Sequence, residues 1–430
     1  MVTPSAASRP RGIALPRNDW DRLDGVRPDE PPLVSVIIAH YEQQSQLDRT
    51  LLALQRQDHP PERLEIIVVD DGSITPPTVP DGVILIVQED RGFRLAAARN
   101  AGVARASGRI LCFLDADTAP EPSYLTELTR LPALAPDVVT VGRRLHAVFD
   151  EVDADARIEV DAPLLALPAP RWLDDAYARS RNLLDADDRS YRFVIGAVVA
   201  CSAELFDASG GFDESFDRYG GEDWEWAYRA WLAGAVLAHV PTAIAWHDGP
   251  EWSGRPEAAL ARKNEESVRL AELIPVPGSG PRGLRGRFAD VLVSVPDGVT
   301  APEEVTGWDA AWFVTLDSLA EALPLAGLPG GGSSSAMCRI LVDVLRPLRV
   351  RGSALAEAVV RLGAESLGSL EVVDADDGEP LCVVRSTRAA ARASRWGQDD
   401  LFERASVVLP GVAALDPAAV DVEAYLGGWG

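Results

Sequence analysis

Along the first 140 positions, short and nearly unbroken apolar runs alternate with amphipathic stretches. Residues 34–39, 64–69, 83–87 and 110–114 are runs of this kind, as expected of strands covered on both faces. After the first run, Ser45-Gln46-Leu47-Asp48 is a capping-box variant, and Leu47, Leu51 and Leu54 follow i, i+4, i+7 spacing, which predicts a helix. The second run ends in Asp70-Asp71-Gly72-Ser73, a turn sequence. Residues 93–106 are Ala-rich and stop at Gly108, predicting a second helix. Strand, helix and strand in this order predict a doubly wound, mostly parallel α/β sheet.

Beyond Val138 the pattern is less regular. Residues 163–171 read as a loop, 172–184 as a short amphipathic helix and 193–201 as a buried strand. Gly220-Gly221 precedes a strong helix over 222–232, with Trp224, Tyr228 and Trp231 on one stripe. Residues 236–246 lead to His247, and a helix over 256–273 closes this part. Residues 275–286 are rich in Pro and Gly and mark a boundary. After it come strand runs at 291–295, 370–373 and 381–384 and helical runs at 318–323 and 353–362. Asp376-Asp377-Gly378 predicts a hairpin between two of those strands. The expected organisation is a flexible leader over 1–30, an α/β domain over 31–274, a linker over 275–286, and a smaller α/β or α+β module over 287–430 without an assigned role.

The length of 430 residues fits two or three domains, and 47% hydrophobic content is enough to build cores. With 41 basic against 66 acidic residues the net charge is −25, which argues against a broad nucleic-acid footprint or adhesion to anionic membranes. Nearly every basic residue is Arg; Lys263 is the single lysine, a bias that GC-rich coding produces and from which no function is read. Cys112, Cys201, Cys338 and Cys382 form no CxxC pair, so neither a zinc site nor a disulfide framework is expected. Residues 1–30 hold no apolar signal-peptide core, and the longest apolar run, 231–246, is broken by His239 and Pro241. A cytoplasmic protein without a membrane span is expected.

The chemistry concentrates where strands end. Asp115 and Asp117 follow the 110–114 run directly, so both can direct oxygens at one hard divalent cation from the carboxyl edge of a sheet, where ligands of α/β folds bind. An isolated Asp-x-Asp is often a solvated turn, as an Asp-Asp-Gly-Ser sequence is often only a turn. The turn His40-Tyr41-Glu42-Gln43-Gln44 has no glycine, which excludes a dinucleotide fingerprint, and no Walker sequence is present. Gly330-Gly331-Gly332-Ser333-Ser334-Ser335 lacks the lysine of a phosphate cradle and reads as a flexible loop. Gly220-Gly221-Glu222-Asp223 combines two glycines, which allow close backbone approach, with two acids opening a helix.

Taken together, Val34-Ser35-Val36-Ile37-Ile38-Ala39-His40-Tyr41, Asp70-Asp71-Gly72-Ser73, Ala98-Arg99-Asn100-Ala101-Gly102 and Asp115-Ala116-Asp117 resemble the ordered motifs of family 2 glycosyltransferases. Gly220-Gly221-Glu222-Asp223-Trp224-Glu225 resembles the acceptor-side motif of galactosyl- and N-acetylgalactosaminyltransferases. The resemblance covers residues 33–272. It implies a GT-A-type nucleotide-binding sheet flanked by helices, and sugar transfer from a nucleotide diphosphate, UDP above all, with inversion. It further implies that Tyr41, Glu42 and an acid of the Asp70-Asp71 pair hold base and ribose. Arg99 would brace that pocket or contact the nucleotide. Asp115 would touch ribose or metal-bound water, and Asp117, with His247, would ligate Mn²⁺ or Mg²⁺. Glu222 and Trp224 would hold the acceptor, and Asp223 would be the general base. The sequence departs from the family at Ala39, where Pro is usual, and at Glu42, where Asn is usual.

Two other readings stay open at this level. A sugar-phosphate nucleotidyltransferase would want a Gly-rich basic loop after the first strand, unlike Tyr41-Glu42-Gln43. A non-catalytic binding module would not need Asp115, Asp117 and Asp223 intact. The acceptor is expected to be a soluble glycan, small molecule or peptide; for the C-terminal module, acceptor recognition, dimerisation and tethering of a pathway partner stay open alike.

Overall fold

The computed structural model describes residues 10–149, 152–153, 155–169, 171–250, 258–279, 286–296, 310–323, 326–327 and 337–427. They fall into two compact units, Met1–Arg269 and Leu270–Gly430. The division lies inside the last helix of the first unit, ahead of the Pro- and Gly-rich stretch where the sequence placed it. Leu270, Ile274 and Val276, buried just beyond the division, give the second unit apolar residues ahead of that stretch.

In the first unit the chain runs β1 (Val34–His40), α1 (Gln44–Gln55), β2 (Leu64–Asp70), β3 (Ile84–Val87), α2 (Leu95–Arg105), β4 (Ile110–Asp115), β5 (Thr118–Pro120), α3 (Tyr124–Leu134) and β6 (Val138–Ala147). It continues with α4 (Ile158–Asp161), α5 (Arg171–Arg179), β7 (Val198–Ser202), α6 (Ala203–Ala208), α7 (Glu222–Leu232), β8 (Val236–Asp248) and α8 (Ala258–Leu273). The eight strands form one sheet in the order β3-β2-β1-β4-β7-β6-β8-β5. β3, β2, β1 and β4 are parallel neighbours, as are β6 and β8, whereas β7 runs against both its neighbours and β5 against β8. β1 and β4 are buried almost throughout, because helices cover the sheet. The carboxyl ends of β1, β2 and β4 therefore share one edge, with Ala39 opposite Asp115 and His40 opposite Asp70.

Several sequence expectations shift. Residues 10–30 are not a loose leader: Leu15 and Leu23 are buried with Leu131, Ala135, Val138, Val236 and Ala238. The Asn18 amide donates to the carbonyls of Leu183 and Leu237, at 2.7 and 2.9 Å. A few well-placed apolar residues outweigh the polar composition of that segment. The capping box at Ser45 does not form, since α1 already starts at Gln44 and the Ser45 hydroxyl bonds Gln46 instead. The helix expected over 172–184 ends at Arg179, after which Arg181, Asn182 and Leu183 all take left-handed backbone angles. β7 begins at Val198 rather than 193, because Ser190–Phe193 forms a 3-10 turn. The central strand β6 and helix α3 had no clear signal in the sequence.

The second unit holds β9 (Val291–Ser294), α9 (Ala310–Ala322), β10 (Ile340–Val344), β11 (Leu348–Val350), α10 (Ala354–Ala364), β12 (Ser369–Val373), β13 (Pro380–Ser386), α11 (Thr387–Trp396), β14 (Arg404–Val408), β15 (Val412–Ala414) and α12 (Val422–Tyr425). Its five-stranded sheet is ordered β14-β12-β13-β10-β9 and mixes parallel and antiparallel pairs. β12 and β13 pair antiparallel around Asp376-Asp377-Gly378, the expected hairpin. The glycine- and serine-rich tract at 330–335 lies outside the described residues.

Candidate active site

Asp70 and Asp71 are adjacent in sequence but differ in what is left open. Asp70 is fully buried, and His40 Nδ1 lies 2.8 Å from its Oδ1. The Gln43 N–H donates to His40 Nε2 at 3.1 Å, which fixes the ring proton on Nδ1 and aims it at Asp70. Ser73 adds its N–H and its hydroxyl, at 3.1 and 2.6 Å. Asp70 thus holds the turn together. Asp71 Oδ2 accepts the Arg94 N–H at 2.8 Å, but its Oδ1 is buried and has no hydrogen-bond partner. Burial raises the Asp71 carboxyl above its ordinary value, in spite of Arg94. A buried acceptor of this sort is costly unless a water or a ligand donor satisfies it.

Tyr41 and Glu42 flank the same turn. The Tyr41 ring is half exposed. Glu42 has a left-handed φ of 54°, its N–H donates to the Ser73 hydroxyl at 2.9 Å, and its Oε1 accepts the Ile74 N–H at 2.6 Å. The Glu42 carboxylate therefore braces the 71–74 turn through one of its oxygens. An asparagine adopts left-handed angles more readily than glutamate does.

One arginine links the two halves of the site. Arg99, on α2, is 2% exposed; it donates to Asp115 Oδ1 at 2.9 Å and to Glu222 Oε1 at 3.0 Å. Its guanidinium also lies over the Phe212 ring, at 5.3 Å. Burial alone would favour losing its proton, but the charges of Asp115, Glu222 and Asp223 outweigh that and keep it charged. Arg99 thus joins the end of β4 to the start of α7, two points 107 positions apart by their residue numbers (222 − 115).

At the start of α7, Gly221 is the residue before the helix and, like Gly220, has a left-handed φ, 94° and 97°. A side chain at Gly220 would also run into Glu266 Oε2, at 2.6 Å from the position of its Cβ. The Asp223 Oδ2 accepts the Gly196 N–H at 3.0 Å and its Oδ1 the Trp224 N–H at 2.8 Å. A Cβ at Gly196 would come within 2.8 Å of Arg99 Nη1, so a side chain there would have to displace the guanidinium. Glu222 Oε2 is buried without a partner. Burial and the neighbouring Asp223 push Glu222 up to about 7 against the pull of Arg99, and burial raises Asp223 as well.

Asp117 and His247 form the other pole. β5 and β8 place Thr118 opposite His247, and His247 Nε2 lies 3.4 Å from Asp117 Oδ2. Gln43 Nε2 donates to the same oxygen at 3.3 Å. Burial would raise the Asp117 carboxyl, but hydrogen bonding and charge from His247 hold it below its ordinary value. Burial would lower His247, and Asp117 raises it. A carboxylate and an imidazole nitrogen suit a Mn²⁺ or Mg²⁺ ion that takes its remaining ligands elsewhere. Among the described residues no three His, Cys, Asp or Glu side chains converge on one point. Asp115, committed to Arg99, does not join Asp117 and His247 in such a cluster.

His40 and Gln43 stood in the sequence only as members of the first strand's closing turn, and Gly196 and Glu266 carried no signal at all. Each acts by proximity across the fold, through a main-chain N–H or a side chain from a distant element.

A parallel-edged α/β sheet with acids gathered at its strand ends, crossed by a glycine-opened helix, defines a GT-A-type domain. Residues 35–200 match the model of glycosyl transferase family 2, and residues 184–246 that of the N-terminal domain of galactosyltransferase. Residues 35–200 thus carry a glycosyltransferase family 2 domain. The chain is 33% identical over 225 residues to validoxylamine A glucosyltransferase of Streptomyces hygroscopicus subsp. limoneus, covering 46% of this chain and 48% of the relative. It thus spans about half the length of that relative. Pre-mycofactocin glycosyltransferase of Mycobacterium tuberculosis is 27% identical over 347 residues, 74% of this chain and 69% of the relative. Among solved structures, the Pyrobaculum calidifontis mannosyltransferase PcManGT, in complex with GDP-Man and Mn²⁺, is 21% identical, with a TM-score of 0.39 over 54% of this chain and 63% of its own. No described helix is long and apolar enough to cross a membrane.

Proposed function

We propose that the chain transfers a sugar from a nucleotide diphosphate, with UDP as the nucleotide, to an acceptor nucleophile, with inversion and with Asp223 as general base. The observation that carries this reading is the Arg99 bridge, which sets the donor-side Asp115 and the acceptor-side Glu222-Asp223 pair around one buried guanidinium. Inversion by direct displacement needs donor and base on opposite sides of one carbon, within reach of one rigid element. The base oxygens of Asp223 are fixed by two main-chain N–H groups, so its lone pairs point in a set direction.

Asp71 Oδ1 is the single free oxygen of that carboxylate, a match for the one imide N–H of uracil; guanine offers two donors on the same edge. Asp117 and His247 would hold a divalent cation, which when bound neutralises charge growing on the diphosphate. The acceptor is written by class: a soluble glycan, small molecule or peptide. Nucleotide release should be measured for UDP- and GDP-sugars with Mn²⁺, Mg²⁺ or chelator. Metal-dependent release from UDP-sugars supports the reading. Tight nucleotide binding with no turnover of any donor would instead favour a binding module.

A further inference from the structure

Among 41 basic residues Lys263 is the one lysine; its side chain is 45% exposed, yet its ammonium is held by two neighbours. Its Nζ lies 4.8 Å from the centre of the Trp224 ring and 2.6 Å from Glu266 Oε1. Glu266 in turn abuts Gly220, where a single methyl group would collide with it. Helix α8 is therefore keyed into the glycine turn, and Lys263 and Glu266 face the segment that carries Asp223. An ammonium over an indole face is a favourable contact even when partly solvated.

The groups around Asp223 are mostly of its own sign. Glu222 on α7, Asp115 on β4 and Glu266 on α8 are acids; Tyr219 lies nearby; Arg99 on α2 is already divided between two carboxylates. Lys263 is the other cation whose charge favours the ionised Asp223. We propose that Lys263 is a positioning residue of the acceptor side: caught between the Trp224 ring and Glu266, its ammonium brings a positive charge to the segment that carries Asp223 and holds the indole as a wall there. This rests on the transferase reading, since a base must be ionised to accept the acceptor's proton. A lysine rather than an arginine suits the place, being a compact point charge that shares itself between a ring and one carboxylate.

The test has two arms, both on the full chain. In the first, nucleotide release from UDP-sugars is followed against pH for wild type, Lys263→Met and Lys263→Arg. The acid limb of the rate profile should move up by about half a pH unit in Lys263→Met, the size expected of a partly solvated charge, and return in Lys263→Arg. The shift should shrink as salt is raised. In the second arm, reductive methylation with ¹³C-formaldehyde labels one lysine and the N-terminal amine. The lysine resonance should be displaced by the Trp224 ring current, lose that displacement in Trp224→Leu, and titrate at lower pH in Asp223→Asn. An unmoved acid limb in Lys263→Met, or a lysine signal indifferent to Asp223→Asn, overturns the proposal. If wild type turns over no nucleotide sugar, the transferase reading fails, and the resonance arm still decides whether Lys263 senses Asp223.

Discussion

Replacing Glu222 by glutamine should make this protein more stable near neutral pH while impairing it. Glu222 is 5% exposed, and its carboxyl is raised from 4.5 to about 7 by burial and by Asp223. A raised carboxyl means that the fold binds protons more tightly than the unfolded chain does. Its stabilising effect is complete below 4.5, where both states are protonated, and is lost as pH rises to about 7. That gap, at roughly 1.4 kcal/mol per pH unit, amounts to about 3 kcal/mol of stability given up once Glu222 is ionised. Glutamine resembles the protonated acid and keeps an oxygen for Arg99, so the variant avoids that loss. The assay is urea denaturation of wild type and Glu222→Gln, followed by tryptophan fluorescence at about pH 5 and about pH 8. The variant should gain up to about 3 kcal/mol over wild type at the higher pH and little at the lower, and its acceptor-dependent turnover should fall. Equal differences at both pH values, or a variant less stable at the higher one, would refute the account of a strained pair of acids.

Asp71→Asn should weaken UDP binding about tenfold, the worth of one good hydrogen bond, with little change in melting temperature. Asp70→Asn should do the reverse, costing about 2 kcal/mol or more of stability because it disturbs a buried network with His40 and Ser73; calorimetry and thermal melts on the two variants separate the cases. Asp117→Ala should remove the Mn²⁺-dependent part of UDP affinity, and titrations giving equal affinity with and without metal in wild type would contradict that role. Asp223→Asn should keep donor affinity and lower turnover by ~10²–10⁴-fold, measured as nucleotide release.

How much was legible beforehand differs by element. β1, β2 and β4 declared themselves because strands buried on both faces are apolar at nearly every position, and the acids at their ends stand out against that background. β6 did not, since its run breaks at Gly142-Arg143-Arg144, where its pairing with β8 shifts register. Residues 10–30 misled because their composition is polar while Leu15 and Leu23 pack into a core.

Sequence alone decided which side chains could do chemistry and in what order they occur. It could not tell Asp70 from Asp71, since the difference is a histidine on the neighbouring strand and the backbone N–H of Arg94, just ahead of α2. Nor could it give the single lysine a meaning, because Lys263 meets Trp224 only after the chain has turned back on itself. Hydrophobic periodicity is local and survives in one dimension. Hydrogen-bond saturation, burial and the sharing of charge are properties of neighbours in space, and folding assigns those neighbours.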